Sequence, residues 1–290
     1  MEKILIMADT AADITREEVE EFGIRLMPLH VTYEGRTLLE FHELDCRDYW
    51  KDLARLDTVP STAQVTPNEF LNAYREAADE GYTHILLATI SSTGSGTYMS
   101  ASIARGWFEE ERPGALVIDI VDSLGYCRVE GDIALHAAEL IRGGGTYAEA
   151  LALAHRLSRS LEAVFWVYSL RQMRKSGRIG GVAGFVGEAL GMRPVLRVWD
   201  GKVLPVDRAR GHQATLQAGL KQIEAFMDGH GQDMALLHAD VPEEDIVELE
   251  TQMRERFHPT RIRRCPIGCS VTTNTGPHAL GAAFIGRLRP

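Results

Sequence analysis

Thr15/Glu18, Thr66/Glu69 and Thr146/Glu149 each set a threonine three residues before a glutamate at the head of a helix-forming stretch. At this spacing the hydroxyl and the carboxylate each satisfy a backbone N–H that a helix leaves unpaired at its start. The three pairs therefore fix three helix starts, and Pro67 reinforces the second, since proline at the first helical position loses no hydrogen bond. Among these helices lie short apolar runs at residues 3–8, 24–33, 84–90 and 115–121. Runs of this kind read as strands covered on both faces. Strands alternating with helices predict a three-layer α/β unit built on a parallel sheet.

The second half has a different rhythm. Residues 163–168 read as a strand. Residues 194–199 and 202–207 flank Asp200-Gly201, a pair suited to the tight turn of an antiparallel hairpin. A helix over 211–227, a strand over 233–239, a helix over 243–257 and a strand over 260–264 follow. This pattern predicts a two-layer α/β unit with a mostly antiparallel sheet. The change falls near residues 156–162, giving expected domains 1–158 and 159–290.

Composition narrows the function. The 290 residues are 45% hydrophobic and 25% charged, and a chain of this size buries a core without staples. A formal net charge of −10 disfavours a general nucleic-acid binder. The apolar run at 4–8 is too short for a secretory signal, and no stretch nears the roughly 18 apolar residues of a membrane span. A cytoplasmic location is expected. Cys265 and Cys269 are spaced C-x3-C without a second ligand pair, and the histidines lack H-E-x-x-H spacing, so thiols rather than a metal site are expected.

One segment stands out for chemistry. Ser91-Ser-Thr-Gly-Ser-Gly-Thr-Tyr98 follows a buried strand and precedes a helix. Ligands of open α/β sheets bind at the carboxyl ends of strands, and amides at a helix start favour an anion. Ser95, Gly96 and the neighbouring hydroxyls suit a carboxylate or phosphate; a plain polar turn and N-cap is the alternative. The loop 60–67 contains Thr62 and Gln64, which the capping by Thr66 does not explain. Asp9 and Asp13 flank a second sheet-edge loop, as a direct ligand or as an Asx-type turn. Gly177, Gly180, Gly181, Gly184, Gly187 and Gly191 dot a segment that packs tightly or leaves room for a ligand. Ser95 lacks the G-x-S-x-G of a hydrolase elbow, and neither a Walker A nor a G-x-G-x-x-G sequence is present.

In order along the chain, Asp9-Thr-Ala-Ala-Asp13, Thr62-Ala-Gln64, the 91–98 segment, Asp122-Ser123, Gly177-Arg-Ile179, Asp200-Gly201, Arg208-Ala-Arg-Gly211 and Thr275-Gly-Pro277 resemble the DegV family over nearly the whole length. The resemblance implies two α/β domains with one long-chain fatty acid between them as ligand and no other cofactor. It also implies a carrier rather than an enzyme, a monomer that presents the carboxylate to a separate fatty acid kinase for lipid synthesis. By position it implies Thr62, Ser95 and Gly96 at the carboxylate, Arg178 of the GRI element nearby, and Arg208 and Arg210 at the kinase. Where the family often has His-x-Gly-Pro-Gly, this chain has Asn274 at the histidine position and His278 at the final glycine, and either is expected to complete the pocket. Asn274 donates a hydrogen bond but carries no charge. Gly94 stands where leucine is usual, and Ala11 and Ala63 where serines are. Two other readings remain: an acyl or phosphoryl transferase using Ser95, and a lipid-binding sensor without a kinase.

Overall fold

The computed structural model describes residues 2–176 and 191–289, which form three sheets. Strand β1 (Ile4–Asp9) passes through a 3-10 turn into helix α1 (Arg16–Phe22), which opens on the Thr15/Glu18 capping box and ends at Gly23 in the left-handed region. The strand expected over 24–33 is two: β2 (Arg25–Met27) lies parallel to β1, and β3 (His30–Tyr33) joins another sheet. Pro28 separates them, having no N–H for a ladder and a fixed φ. The small sheet is completed by β4 (Arg36–Leu39) and, after helix α2 (Cys46–Arg55), by β5 (Ser61–Ala63).

Helix α3 (Pro67–Asp79) starts at the second capping box, followed by β6 (His84–Thr89), α4 (Thr97–Glu111), β7 (Val117–Asp122) and α5 (Arg128–Arg142). The third box starts α6 (Tyr147–Ser158). The parallel sheet has the order β2-β1-β6-β7, with α3 and α4 in the apolar cluster on one face and α5 and α6 in that on the other.

The remaining elements are β8 (Leu161–Val167), α7 (Arg171–Ser176), β9 (Met192–Trp199), β10 (Lys202–Arg210), α8 (His212–Phe226), β11 (Met234–His238), α9 (Glu243–Phe257), β12 (Ile262–Pro266), α10 (Cys269–Thr275) and β13 (Ala279–Ile285). They form a sheet of order β10-β9-β8-β13-β11-β12, antiparallel except at β11–β12. Asp200 and Gly201, with φ of 52° and 72°, make the tight turn of the hairpin. Helices α8 and α9 cover one face of this sheet. The other face turns toward α5, which is buried along most of its length between the two large sheets.

One irregularity controls what the hairpin displays. The β9–β10 ladder shifts between Pro205 and Asp207, leaving Val206 as the extra residue of a bulge. Directly paired residues share a sheet face. Arg208 pairs with Pro194 and Arg210 with Met192, as Val203 pairs with Val198. Both arginines therefore share the face of Val198 and Val203, while Asp207 turns to the other side and accepts a bond from Gln222 of α8.

Candidate functional site

A cavity of about 330 Å³ lies between the parallel and antiparallel sheets. Its apolar wall includes Phe165, Val198 and Val203 from the antiparallel sheet and Ile90 at the end of β6. Its polar lining includes Thr62 and Gln64 near β5, Ser95 and Gly96 at the start of α4, and Ser270 and Asn274 on α10. The lining thus joins a greasy volume to hydroxyls, amides and a helix start, the composition of a site for an amphiphile with a small polar head.

Local packing sets each polar group. Gly96 is the N-cap of α4 and makes no side-chain cap, so among the described residues the only first-turn amide met by a neighbouring hydroxyl is that of Thr97, taken by Ser95. A Cβ at Gly96 would lie 2.0 Å from the Gln64 side chain, so glycine lets Gln64 close over the helix start. Gln64 Nε2 is held by Ser100 Oγ at 2.8 Å. Ser95 Oγ lies 2.9 Å from Thr97 Oγ1 and accepts a 3.3 Å bond from the Thr97 amide. Asn274 Nδ2 donates to Ser270 O at 2.8 Å, leaving it a second N–H.

Thus the structure brings Thr62, Ser95, Gly96 and Asn274 to one cavity. His278 does not line it. Its Nδ1 bonds Asp240 O, its side chain is 41% exposed, and its ring stands 6.3 Å from Tyr168. The turn after α10 carries His278 past the cavity to the α9 side, which corrects the expectation that it completes the pocket. Arg178 lies outside the described residues, as do the glycines from Gly177 to Gly187. Arg208 and Arg210 are exposed on β10. Gln64, Ser270 and Tyr126 were not assigned from the sequence. Only Gln64 left a signal, as a polar residue that helix capping does not use.

Behind the cavity is a buried carboxylate group. Asp9 accepts from the Ala11 amide at 3.0 Å and the Ile90 amide at 2.8 Å, which makes it the Asx-type turn of the two readings and ties β1 to the cavity residue Ile90. Glu40 accepts from the Ser270 amide at 2.8 Å, and Asp13 from the Gly268 amide at 2.9 Å, so both anchor the start of α10. Burial pushes the Asp9 carboxyl up to about 7. Burial, and then Glu40, raise Asp13; burial, and then Asp9, raise Glu130 well above the ordinary carboxylate range. The four cysteines are free thiols, and burial raises Cys46 and Cys265 to about 12. No group of three or more His, Cys, Asp or Glu suited to a metal ion occurs among the described residues. No described helix is long and apolar enough to cross a membrane.

The chain is thus an α/β protein with a parallel and a mostly antiparallel sheet and, between them, a largely apolar cavity with hydroxyl and amide groups in its lining. The chain belongs to the DegV family, whose model, described as an uncharacterised protein of the DegV family, matches residues 3–287. A DegV domain-containing protein of Caldanaerobacter subterraneus is 27% identical over 98% of this chain and 99% of its own length. Among solved structures, a DegV lipid-binding protein from Thermotoga maritima superposes with a TM-score of 0.87 at 27% identity, covering 99% of this chain and all of that one. A fatty-acid-binding DegV family protein from Thermus thermophilus gives 0.87 at 27% identity over 98% of this chain and 100% of its own.

Proposed function

We propose that the chain is a carrier that binds one long-chain fatty acid between its domains, 1–158 and 159–290, and presents the carboxylate to a separate fatty acid kinase. The observation that carries this reading is a cavity of about 330 Å³ that joins apolar side chains such as Phe165, Val198 and Val203 to the hydroxyls of Ser95 and Thr62. The fatty-acid binding of the Thermus thermophilus relative supports it. Burying about 15 methylenes at about 0.8 kcal/mol each yields on the order of 12 kcal/mol gross, before the cost of ordering the chain. A few donors then suffice for the head group. Ser95 serves as such a donor, since its hydroxyl partner is another hydroxyl, Thr97.

Mass spectrometry of an organic extract of the purified protein is expected to recover a fatty acid of about 14–18 carbons, the length that the family resemblance implies and that burial of about 0.8 kcal/mol per methylene sustains. Ser95→Ala and Thr62→Ala should each weaken palmitate binding by about 1–3 kcal/mol, with unchanged melting temperature, because each removes a donor from a buried carboxylate. An extract without lipid and no calorimetric signal with palmitate or oleate would reject the carrier reading.

The arginine pair bears on the partner. Exposed and on the cavity face of β10, Arg208 and Arg210 suit a docking surface, because a guanidinium fork pairs with carboxylate or phosphate. Arg208→Glu/Arg210→Glu is expected to leave fatty-acid affinity unchanged and to cut acyl-phosphate formation in a reconstituted kinase assay about tenfold or more. Equal turnover of variant and wild type would remove the pair from the docking surface.

A further inference from the structure

We infer that Tyr126 is a specificity-determining residue of the acyl cavity, screening substituents on the carbons next to the carboxylate, and that Gly94 is the residue that admits its ring. This rests on the fatty-acid reading of the cavity. Tyr126 and Gly94 both line it. A Cβ built on Gly94 would stand 2.5 Å from Tyr126 Oη, 2.7 Å from Cε1 and 3.0 Å from Cζ. No side chain fits at position 94 while the tyrosine stays where it is. Gly94 directly precedes Ser95, so the ring edge that meets Gly94 lies beside the polar lining of the cavity. A fatty acid with its carboxylate at Ser95 passes its first carbons along this ring.

The ring is also fixed, which a gauge requires. Its hydroxyl donates to Gly201 O at 3.0 Å. Gly201 is itself docked: its amide donates to Leu124 O at 2.8 Å, and Thr93 Oγ1 donates to its carbonyl. At the backbone end, Tyr126 O accepts from the Val129 amide at 3.2 Å, and Leu124 and Cys127 on either side have φ of 52° and 54°. Swinging the ring away would break the bond to the hairpin tip and disturb a backbone that has few alternatives. A methyl branch at C2 of the ligand meets this wall, whereas a bend in the middle of the chain does not.

Titration calorimetry with palmitate, 2-methylhexadecanoate and oleate tests the assignment. Wild type should prefer palmitate over 2-methylhexadecanoate by about tenfold or more, the discrimination a rigid pocket exerts against one extra carbon. Tyr126→Ala should lower that ratio to about threefold or less while moving the palmitate-to-oleate ratio by less than about twofold. Gly94→Ala should weaken palmitate binding about fivefold in the wild-type background and have no effect on Tyr126→Ala, as expected of two groups that contend for one space. Tyr126→Val replaces the alanine variant if the latter melts early. An unchanged 2-methyl ratio in a variant with a normal melting curve overturns the proposal. So does a change confined to oleate, which would put the ring at mid-chain. Absence of any fatty-acid binding by wild type overturns the carrier reading instead, and is separately visible.

Discussion

Unfolding free energy should fall by several kcal/mol as pH rises from about 5 to about 8. Asp9 titrates near 7 when folded against 3.8 as its ordinary value, because burial penalises its charge. Between those values the folded protein holds a proton that the unfolded chain has released. The stabilisation is therefore complete below about 4 and is lost as pH rises through 7, on the order of 4 kcal/mol for this group. Glu130, which accepts the Asp9 amide at 3.3 Å, and Asp13 are raised as well and act in the same direction. In acid the opposite group dominates. Burial alone would raise Glu18, but Arg128 outweighs it and holds that carboxyl low, so its stabilisation disappears as pH falls below the ordinary carboxylate range. Maximum stability is expected near the ordinary carboxylate range, at about pH 4 to 5. Urea unfolding across this range measures the slope. Glu130→Gln keeps the acceptor for the Asp9 amide and removes one of the raised carboxyls, so it should flatten the slope. A pH-independent stability, or a slope unchanged by Glu130→Gln, would show that the buried carboxyls do not titrate in this window.

The second large effect belongs to Arg128. Its side chain is fully buried and donates to Glu18 at 2.7 Å and 3.1 Å and to Asp132 at 3.1 Å. Removing one partner of a buried ion pair leaves uncompensated charge, which costs about 3–5 kcal/mol. Arg128→Met should fall at the lower end, about 3 kcal/mol, because Arg263 of β12 remains at 4.0 Å from Glu18 and 3.8 Å from Asp132. Adding Asp132→Leu should recover part of the loss. A destabilisation below about 1 kcal/mol by urea or thermal unfolding would mean that Arg263 replaces Arg128 outright. Because Arg263 comes from the antiparallel sheet and Glu18 from α1, this ion cluster also joins elements far apart in the chain.

The sequence shows those parts of the fold whose signals are local. The three capping boxes and the Asp200-Gly201 turn appear where the spacing puts them, because each depends on residues within one turn of the backbone. Strand β13 was not legible. Its Ala-Leu-Gly-Ala-Ala-Phe-Ile sequence is poor in β-branched residues, and its place in mid-sheet follows from packing. Gly281 there has no room for a Cβ, which would sit 2.4 Å from Val164 O. Helix α10 escaped for a related reason: its seven residues include four threonine or serine side chains, which compete with helix bonds, and its start is held by Glu40 and Asp13 from far along the chain. At the site, Ser95 was legible as a hydroxyl in a loop at a strand end, whereas Thr62, expected in a loop over 60–67, is paired with Val31 in the middle of β5. Tyr126 was not legible, because its role depends on an empty space at Gly94. His278 was misplaced because adjacency to Asn274 in sequence does not survive the turn between α10 and β13.

The bulge at Val206 has a consequence for parity. Which face a strand residue occupies is a two-valued property, and simple alternation from Val203 would assign the cavity face to Pro205, Asp207 and Ala209. The extra residue inverts the count, so the face that carries the cavity ends in two cations instead of an anion and a methyl group. Deleting Val206 would restore a regular ladder without moving either arginine, whereas straightening the strand by a one-residue slip would reverse the charge at that end. In a chain with a formal net charge of −10, a single residue of strand length thus decides whether this part of the surface attracts anions or repels them.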